Sequence, residues 1–160
     1  MSKKIEITVS LEVLQWNELT NEVQLLISKA KEASTNAYAP YSNFLVGAAL
    51  LLDNGEMMAG SNQENASYPV GNCAERVVMG YSHARYPDAK PLKIAVVAKR
   101  RDEKNFATVT PCGLCRQTIS EYEQRYDQPI EIFMLSPNGE VLKASSIDEL
   151  LPFKFHDLNG

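Results

Sequence analysis

Hydrophobic and polar positions alternate strictly over residues 4–13 near the start of the 160-residue chain. This period of two predicts a half-buried strand. Apolar side chains then recur at helical spacing between Leu19 and Ala30, with Asn21 and Gln24 in what we predict to be capping positions. The chain therefore begins with a predicted strand followed by a helix.

Residues 44–52 form an almost continuous apolar run. A run that is apolar on both faces is typical of a central strand covered by helices, and Gly47 would let one of those helices approach closely. Asp53-Asn54-Gly55 follows, which predicts a hairpin turn into a strand over residues 56–61. This hairpin is expected at the centre of the fold.

The rest of the pattern predicts helices and strands on a mixed sheet. We expect a single domain over residues 1–160, with residues 1–14 as an extra N-terminal strand. The predicted helices run from Cys73 to about Ala84, from Pro111-Cys112-Gly113 to about Tyr126, and over 147–151; the predicted strands cover 92–98, 130–135 and 140–144, and a loop covers 99–109.

Composition and charge narrow the classes of function. Hydrophobic residues make up 44% and charged residues 22%, as in ordinary globular proteins, and no apolar run reaches membrane-spanning length. The net charge is −4, and Lys99-Arg100-Arg101 is followed directly by acidic residues, so we expect a free small molecule rather than a nucleic acid as substrate. The chain has an odd number of cysteines, three, and its first residues lack the apolar stretch of a signal peptide. Both features favour a cytoplasmic protein.

All three cysteines lie in two short motifs, Cys73-Ala74-Glu75-Arg76 and Pro111-Cys112-Gly113-Leu114-Cys115-Arg116-Gln117. Three sulfur ligands leave one vertex of a tetrahedral metal site open, as catalytic zinc sites do. Both motifs are expected at helix starts, where free N–H groups favour thiolate over thiol. The two histidines, His83 and His156, lack the spacing of a fourth ligand.

The residues beside the cysteines suggest further roles. Glu75 would lie near the metal without binding it, which is what a proton shuttle requires. Three thiolates on a dication carry a net negative charge, and Arg76 and Arg116 could offset it by donating to sulfur.

The cysteines allow two other interpretations. A redox Cys-x-x-Cys pair would leave Cys73-Ala74-Glu75 unexplained, and such pairs follow a first strand in thioredoxin-like proteins. A structural zinc site would use cysteine and histidine together. The pattern favours catalytic zinc, although thiolate sites also accept iron or cobalt.

The two motifs resemble the zinc signatures of the cytidine deaminase family in its small homotetrameric form. The resemblance implies a three-layer α/β fold with a mixed five-stranded sheet and helices on both faces, here with the extra N-terminal strand. It implies one Zn²⁺ per subunit and hydrolytic deamination of cytidine and 2′-deoxycytidine in pyrimidine salvage, with Glu75 as proton shuttle and zinc activating water. It also implies a homotetramer with sites at subunit interfaces. The acidic net charge and the short apolar runs, by contrast, are the reasons to expect no nucleic-acid or membrane partner.

The same resemblance extends to the substrate contacts. Asn62-Gln63-Glu64-Asn65 resembles the family's ribose-binding segment, so Asn62 and Glu64 would hold ribose hydroxyls. Phe44 would stack on the base and the Ala74 backbone would contact it, although Phe44 alone reads as a core aromatic. Tyr68 and Phe155, with Tyr41, would approach a neighbour's pocket or simply pack at an interface.

Three other functions stay open. Deamination of a cytosine-containing antibiotic nucleoside such as blasticidin S is close in chemistry, and assays on both nucleosides would separate the two. Polynucleotide editing is disfavoured by the acidic net charge, and a filter-binding test would decide it. A zinc-stabilised binding module without activity would be indifferent to Glu75→Gln.

Overall fold

The computed structural model describes residues 2–155, so His156 lies outside the described residues. Six strands form one mixed sheet in the order β1-β6-β5-β4-β2-β3. Strands β4 and β5 run parallel, and the other neighbouring pairs are antiparallel. The strands are β1 (Glu12–Leu14), β2 (Phe44–Leu52), β3 (Met57–Ser61), β4 (Pro91–Arg100), β5 (Glu131–Leu135) and β6 (Val141–Ala144).

Three helices cover the two faces of this sheet: α1 (Asn21–Ser34), α2 (Ala74–Arg85) and α3 (Gly113–Tyr126). Ala49 and Leu51 of β2 belong to the core cluster of α1, whereas Ala48 and Leu50 belong to the cluster of α2 and α3. The apolar run of β2 is continuous because both of its faces are buried. The predicted three-layer α/β fold is confirmed. None of the helices in the described residues is long and apolar enough to cross a bilayer.

Helix α1 lies almost directly on β2 at Gly47. A Cβ atom on Gly47 would lie 1.9 Å from the carbonyl oxygen of Ala30 and 2.7 Å from the backbone nitrogen of Ser34. Gly60 of β3 lies beneath α2 with a looser fit, since an added Cβ would lie 3.1 Å from a side-chain methyl of Val77. Gly47 therefore sets how close α1 comes to the sheet.

The N-cap of helix α1 lies one residue before the capping position that the sequence predicts. Thr20 is the N-cap, and its Oγ1 accepts from the Val23 backbone N–H at 3.3 Å. The prediction of Asn21 and Gln24 as caps was wrong, because the Gln24 side chain donates to Trp16 and Leu19 carbonyl oxygens instead. The hydroxyl of Thr20 satisfies a free N–H at the helix start.

The extra N-terminal strand is present but much shorter than predicted. Only residues 12–14 pair, with β6, and the alternating residues before them are exposed rather than half-buried. Strand β6 has four residues, so it offers no ladder for a ten-residue partner. The predicted helix at 147–151 is a single 3-10 turn, Ile147–Glu149, and β4 extends into the predicted loop as far as Arg100.

Candidate metal centre and its surroundings

The three cysteines occupy the starts of α2 and α3. Cys73 is the N-cap of α2, Cys112 is the N-cap of α3, and Cys115 lies in the first turn of α3. The Sγ atom of Cys112 is 3.7 Å from that of Cys73 and 3.6 Å from that of Cys115. All three sulfurs lie within 4.8 Å of one another, so the fold joins motifs that are far apart in the chain.

These separations suit one tetrahedral metal ion. With Zn–S bonds of about 2.3 Å, tetrahedral geometry separates the sulfurs by about 3.8 Å. The metal-ligating group found in residues 2–155 consists of the three sulfurs without a carboxylate or histidine. The donor set therefore fits one Zn²⁺ per chain, with one vertex left open by residues 2–155.

Cys73 and Cys115 differ in how readily their thiols ionise. Hydrogen bonding from Cys115, with smaller contributions from Cys112 and the positive charge of Arg76, lowers the pKa of Cys73 to about 6 although partial burial opposes the shift. Hydrogen bonding to Cys73, together with burial, raises the pKa of Cys115. One thiolate is thus favoured near neutral pH, and a bound cation would release the remaining thiol protons.

Glu75 is a buried carboxyl group beside the sulfurs. It lies in the first turn of α2 and is 4% exposed. Burial, together with the nearby Cys73 charge, raises its pKa to about 6, although hydrogen bonds to the carboxylate oppose the shift. A group with this pKa exchanges a proton readily near neutral pH.

The two arginines of the motifs act in different ways. The positive charge of Arg76 lowers the pKa of Cys73. Arg116 donates three hydrogen bonds to oxygen atoms: to the carbonyl of Pro111 at 2.8 Å, to the carbonyl of Leu150 at 2.6 Å and to Thr110 Oγ1 at 3.0 Å. The expectation that Arg116 donates to sulfur is therefore replaced by a role in fixing the Cys112 turn against the C-terminal segment.

Three polar segments are joined by backbone hydrogen bonds next to Cys73. Gln63 and Asn72 exchange two N–H···O bonds of 2.8 Å. The Tyr38 N–H donates to the Asn62 carbonyl at 3.0 Å, and the Glu64 N–H donates to the Tyr38 carbonyl at 2.8 Å. Residues 38, 62–64 and 72 therefore form one small platform at the start of α2.

Asn62 holds the beginning of β2. Its Oδ1 accepts from the Val46 N–H at 2.9 Å, and its Nδ2 donates to the Phe44 carbonyl at 2.9 Å. The Asn62 side chain is buried, so these bonds fix the backbone that carries Phe44. Each amide atom retains one further hydrogen-bonding position.

Glu64 is held as a carboxylate by the loop after α1. Burial disfavours its charge, but hydrogen bonds from the Ser42 hydroxyl and the Tyr41 and Ser42 N–H groups outweigh this and lower its pKa. Ser42 is not among the residues predicted from the sequence. The signal available was its position in a Pro-containing polar turn, where a hydroxyl often caps a local backbone group.

The remaining predicted site residues differ in burial. Ala74 is fully buried at the start of α2, and Phe44 is half-buried. Tyr68 is 92% exposed and Phe155 is 67% exposed, while the Phe155 carbonyl accepts from Gln117 Nε2 at 2.8 Å. The structure therefore places Phe44, Asn62 and Glu64 in one connected region with Cys73, and leaves Tyr68 and Phe155 on the surface of the chain.

Comparisons with known proteins agree on one family. The family model described as "Cytidine and deoxycytidylate deaminase zinc-binding region" matches residues 20–126. A cytidine deaminase of Halalkalibacterium halodurans is 40% identical over 140 residues, covering 85% of this chain and 97% of that protein. The crystal structure of a cytidine deaminase from Burkholderia pseudomallei has a TM-score of 0.70 and 37% identity, covering 86% of this chain and 100% of the other. A blasticidin-S deaminase of Bacillus cereus is 30% identical over 132 residues, covering 81% of this chain and 89% of that protein.

Proposed function

The chain belongs to the cytidine and deoxycytidylate deaminase family, and we propose that it hydrolyses cytidine and 2′-deoxycytidine to uridine and 2′-deoxyuridine, releasing ammonia. The observation that carries this proposal is the sulfur triad with the buried Glu75 carboxyl beside it. A metal-binding triad supplies one open vertex, and the carboxyl group supplies the proton transfers that hydrolysis of an amino group needs.

Bound at Cys73, Cys112 and Cys115, Zn²⁺ supplies Lewis-acid activation of a water molecule. Glu75 takes a proton from the attacking water and delivers it to ring N3, as the C4–O bond forms. It then takes the second proton from that oxygen and delivers it to the amino group, and the C4–N bond breaks. Ammonia leaves, the carbonyl of uridine forms, and Glu75 ends in its starting charge state.

The platform beside Cys73 supports nucleoside binding in this scheme. Phe44 stacks on the base, and the backbone of Ala74 contacts its edge. Asn62 and Glu64 hold the ribose hydroxyls, because the carboxylate can accept from O–H and the amide both donates and accepts. Glu64 is a carboxylate, and hence an acceptor, at neutral pH, and the hydrogen bonds that lower its pKa extend this charged state to more acidic pH.

The proposal also includes an oligomeric state and a cellular location. Tyr68 and Phe155 are exposed on the single chain and would complete the pocket of a neighbouring subunit in a homotetramer. The net charge of −4 favours a free nucleoside over a polynucleotide, which is consistent with pyrimidine salvage in the cytoplasm. Arg76 offsets the negative charge of the thiolates.

The B. cereus relative motivates a second candidate, deamination of blasticidin S. The Asn62-Gln63-Glu64-Asn65 segment favours cytidine, because its polar groups match the hydroxyls of an ordinary ribose. Steady-state assays of both nucleosides on the same preparation discriminate between the two candidates.

The deciding experiment follows the ultraviolet absorbance of cytidine with the purified protein, with and without a chelator, alongside elemental analysis. We expect one zinc ion per chain, loss of turnover on chelation and recovery when zinc is restored. Turnover that survives complete removal of the metal would overturn the mechanism. Zinc binding without turnover of any cytosine nucleoside would instead support a zinc-stabilised binding module.

A further inference from the structure

The N-terminal arm, residues 2–11, presents a row of exposed apolar side chains. Together with Val13 of β1, this row has relative exposures between 36% and 71%. The residues occupy every second position, so a strand conformation would place them all on one face. They are Ile5, Ile7, Val9, Leu11 and Val13.

The backbone of the arm has no strand partner among residues 2–155. Pairing with β6 begins only at Glu12, and β1 lies at the edge of the sheet. Natural proteins seldom leave an alternating apolar segment uncovered at a sheet edge, because such an edge readily accepts another strand. We therefore expect the arm to bind a partner that supplies both backbone hydrogen bonds and apolar contacts.

We propose that the N-terminal arm pairs antiparallel with the same arm of a second copy of this chain. If two arms pair with their apolar side chains on the same face of the sheet, each odd-numbered residue of one arm must lie opposite an odd-numbered residue of the other. A two-fold axis at Thr8 meets this condition and places Lys4 of one copy opposite Glu12 of its partner, twice by symmetry. Within one chain Lys4 contacts Glu6, and Glu12 lies 3.4 Å from Lys143, so the pairing would exchange the exposed Lys4–Glu6 contact for one between copies, with Glu12 shared by two lysines. An axis at Val9 would instead oppose Glu6 to Glu12, and like charges directly opposite each other destabilise a strand pair.

The pairing would also extend the existing sheet. Strand β1 is antiparallel to β6 through one edge, and residues 12–14 show no partner on the other edge within the described chain. Joining two arms there would make one sheet continuous across both copies, which is a recognised mode of strand addition. The interaction lies outside the matched residues 20–126, so it does not depend on the proposed catalytic function.

The C-terminal segment of the same chain is a poorer partner for the arm. Residues 7–9 border a groove of about 510 Å³ whose other wall is formed by residues 148–154. That wall offers Pro152 and the exposed Phe153, but its remaining lining residues are charged: Asp148, Glu149 and Lys154. Two apolar side chains do not cover a row of five.

Single cysteines in the zinc-loaded, full-length protein test the register. With the native cysteines bound to metal, mild oxidation with diamide should cross-link the Thr8→Cys variant into dimers, because residues opposite each other in antiparallel strands meet disulfide geometry. The matched variant Ser10→Cys faces Glu6 of the partner in this register and should stay uncross-linked on a non-reducing gel. Absence of the Thr8→Cys dimer, or equal dimer from both variants, would overturn the proposal.

A second pair of variants tests whether the apolar row drives the pairing. In the Thr8→Cys background, Ile7→Thr with Val9→Thr should abolish the cross-link, since both side chains are exposed and their loss leaves the core intact. Leu25→Thr in the same background removes a comparable exposed apolar side chain from α1 and should leave the cross-link unchanged. Persistence of the cross-link in the Ile7/Val9 variant would contradict the proposal.

Discussion

The side-chain amide of Asn62 donates to the backbone carbonyl of Phe44 at 2.9 Å. The same amide accepts from the Val46 N–H, so a single buried side chain replaces two strand hydrogen bonds at the start of β2. Phe44 is the residue proposed to stack on the base. Its backbone position is therefore set by a residue that is also proposed to contact the ribose.

Asn62→Ala should lower the free energy of unfolding by about 1–3 kcal/mol, because two partly buried backbone groups lose their partners. It should also reduce turnover, since the backbone of Phe44 is released. Asn54→Ala is the matched control, because Asn54 lies in the exposed hairpin turn and its Oδ1 accepts from the Glu56 N–H at 3.0 Å. Chemical denaturation and cytidine turnover measure the two effects, and equal destabilisation by both variants would contradict the assignment.

Gly47→Ala should destabilise the protein by more than about 3 kcal/mol, because the added Cβ would overlap the backbone of α1 and backbone atoms cannot move aside cheaply. Gly80→Ala is the opposite case. Gly80 lies inside α2, and an added Cβ would meet no atom within 4 Å. This control should stabilise the protein by about 0.5–1 kcal/mol, since alanine favours the helix. Thermal denaturation should show a lower melting temperature for Gly47→Ala and a higher one for Gly80→Ala.

Glu75→Gln keeps the shape of the side chain and removes its proton transfer. Turnover should fall by about 10²–10⁴-fold, the usual contribution of a positioned acid–base group, while zinc content stays unchanged. Glu121→Gln, on the exposed side of α3, is the control and should retain full activity. A Glu75→Gln variant that keeps both zinc and turnover would refute the proton-shuttle role.

Arg76→Gln should reduce turnover or zinc affinity by about 10–100-fold, as is usual for groups that support metal ligands. The reason is that the guanidinium charge stabilises the Cys73 thiolate. Folding should change little, because Arg76 is only half-buried. Arg85→Gln removes the same charge from the exposed end of α2 and should have no such effect. Zinc titration and steady-state rates provide the measurement.

Glu123 predicts a specific pH dependence of stability. Burial raises its pKa above the ordinary 4.5, although the Ile130 and Ile147 N–H groups donate to it and oppose the shift. Between the ordinary pKa of the unfolded chain and the raised pKa of the folded chain, Glu123 keeps a proton in the folded chain that the unfolded chain has lost. The stability that Glu123 contributes is therefore lost as the pH rises through this interval.

In the Glu123→Gln variant that loss should disappear, because the amide oxygen can still accept both backbone hydrogen bonds and carries no charge. Urea denaturation at a series of pH values, with Glu121→Gln as the control on the same helix, measures the difference. A Glu123→Gln profile parallel to that of the control would show that Glu123 does not ionise in this range.

Local sequence information was sufficient for the parts of the fold that depend on neighbours in the chain. The apolar run of β2, the hairpin at Gly55 and the helix starts at Cys73 and Cys112 all follow from short-range pattern and turn chemistry. The convergence of the three sulfurs was inferred from residue types, since three thiolate ligands are useful only when they meet.

The features that the sequence did not reveal depend on distant partners. The length of β1 is limited by β6, which lies almost 130 residues further along the chain. The guanidinium of Arg116 binds the carbonyl of Leu150, a contact created only when the C-terminal segment reaches α3. Asn62 was assigned to the ribose from the family resemblance of its segment, whereas its bonds to β2 require knowledge of the strand register.

Cys73 and Cys112, at the starts of two helices, are separated by 39 positions. An ion shared between them closes a loop that contains α2 and β4, and it thereby restricts the unfolded chain as a covalent staple would. Zinc limitation should consequently lower the amount of folded protein as well as its turnover, because the zinc-free chain unfolds and is degraded more readily.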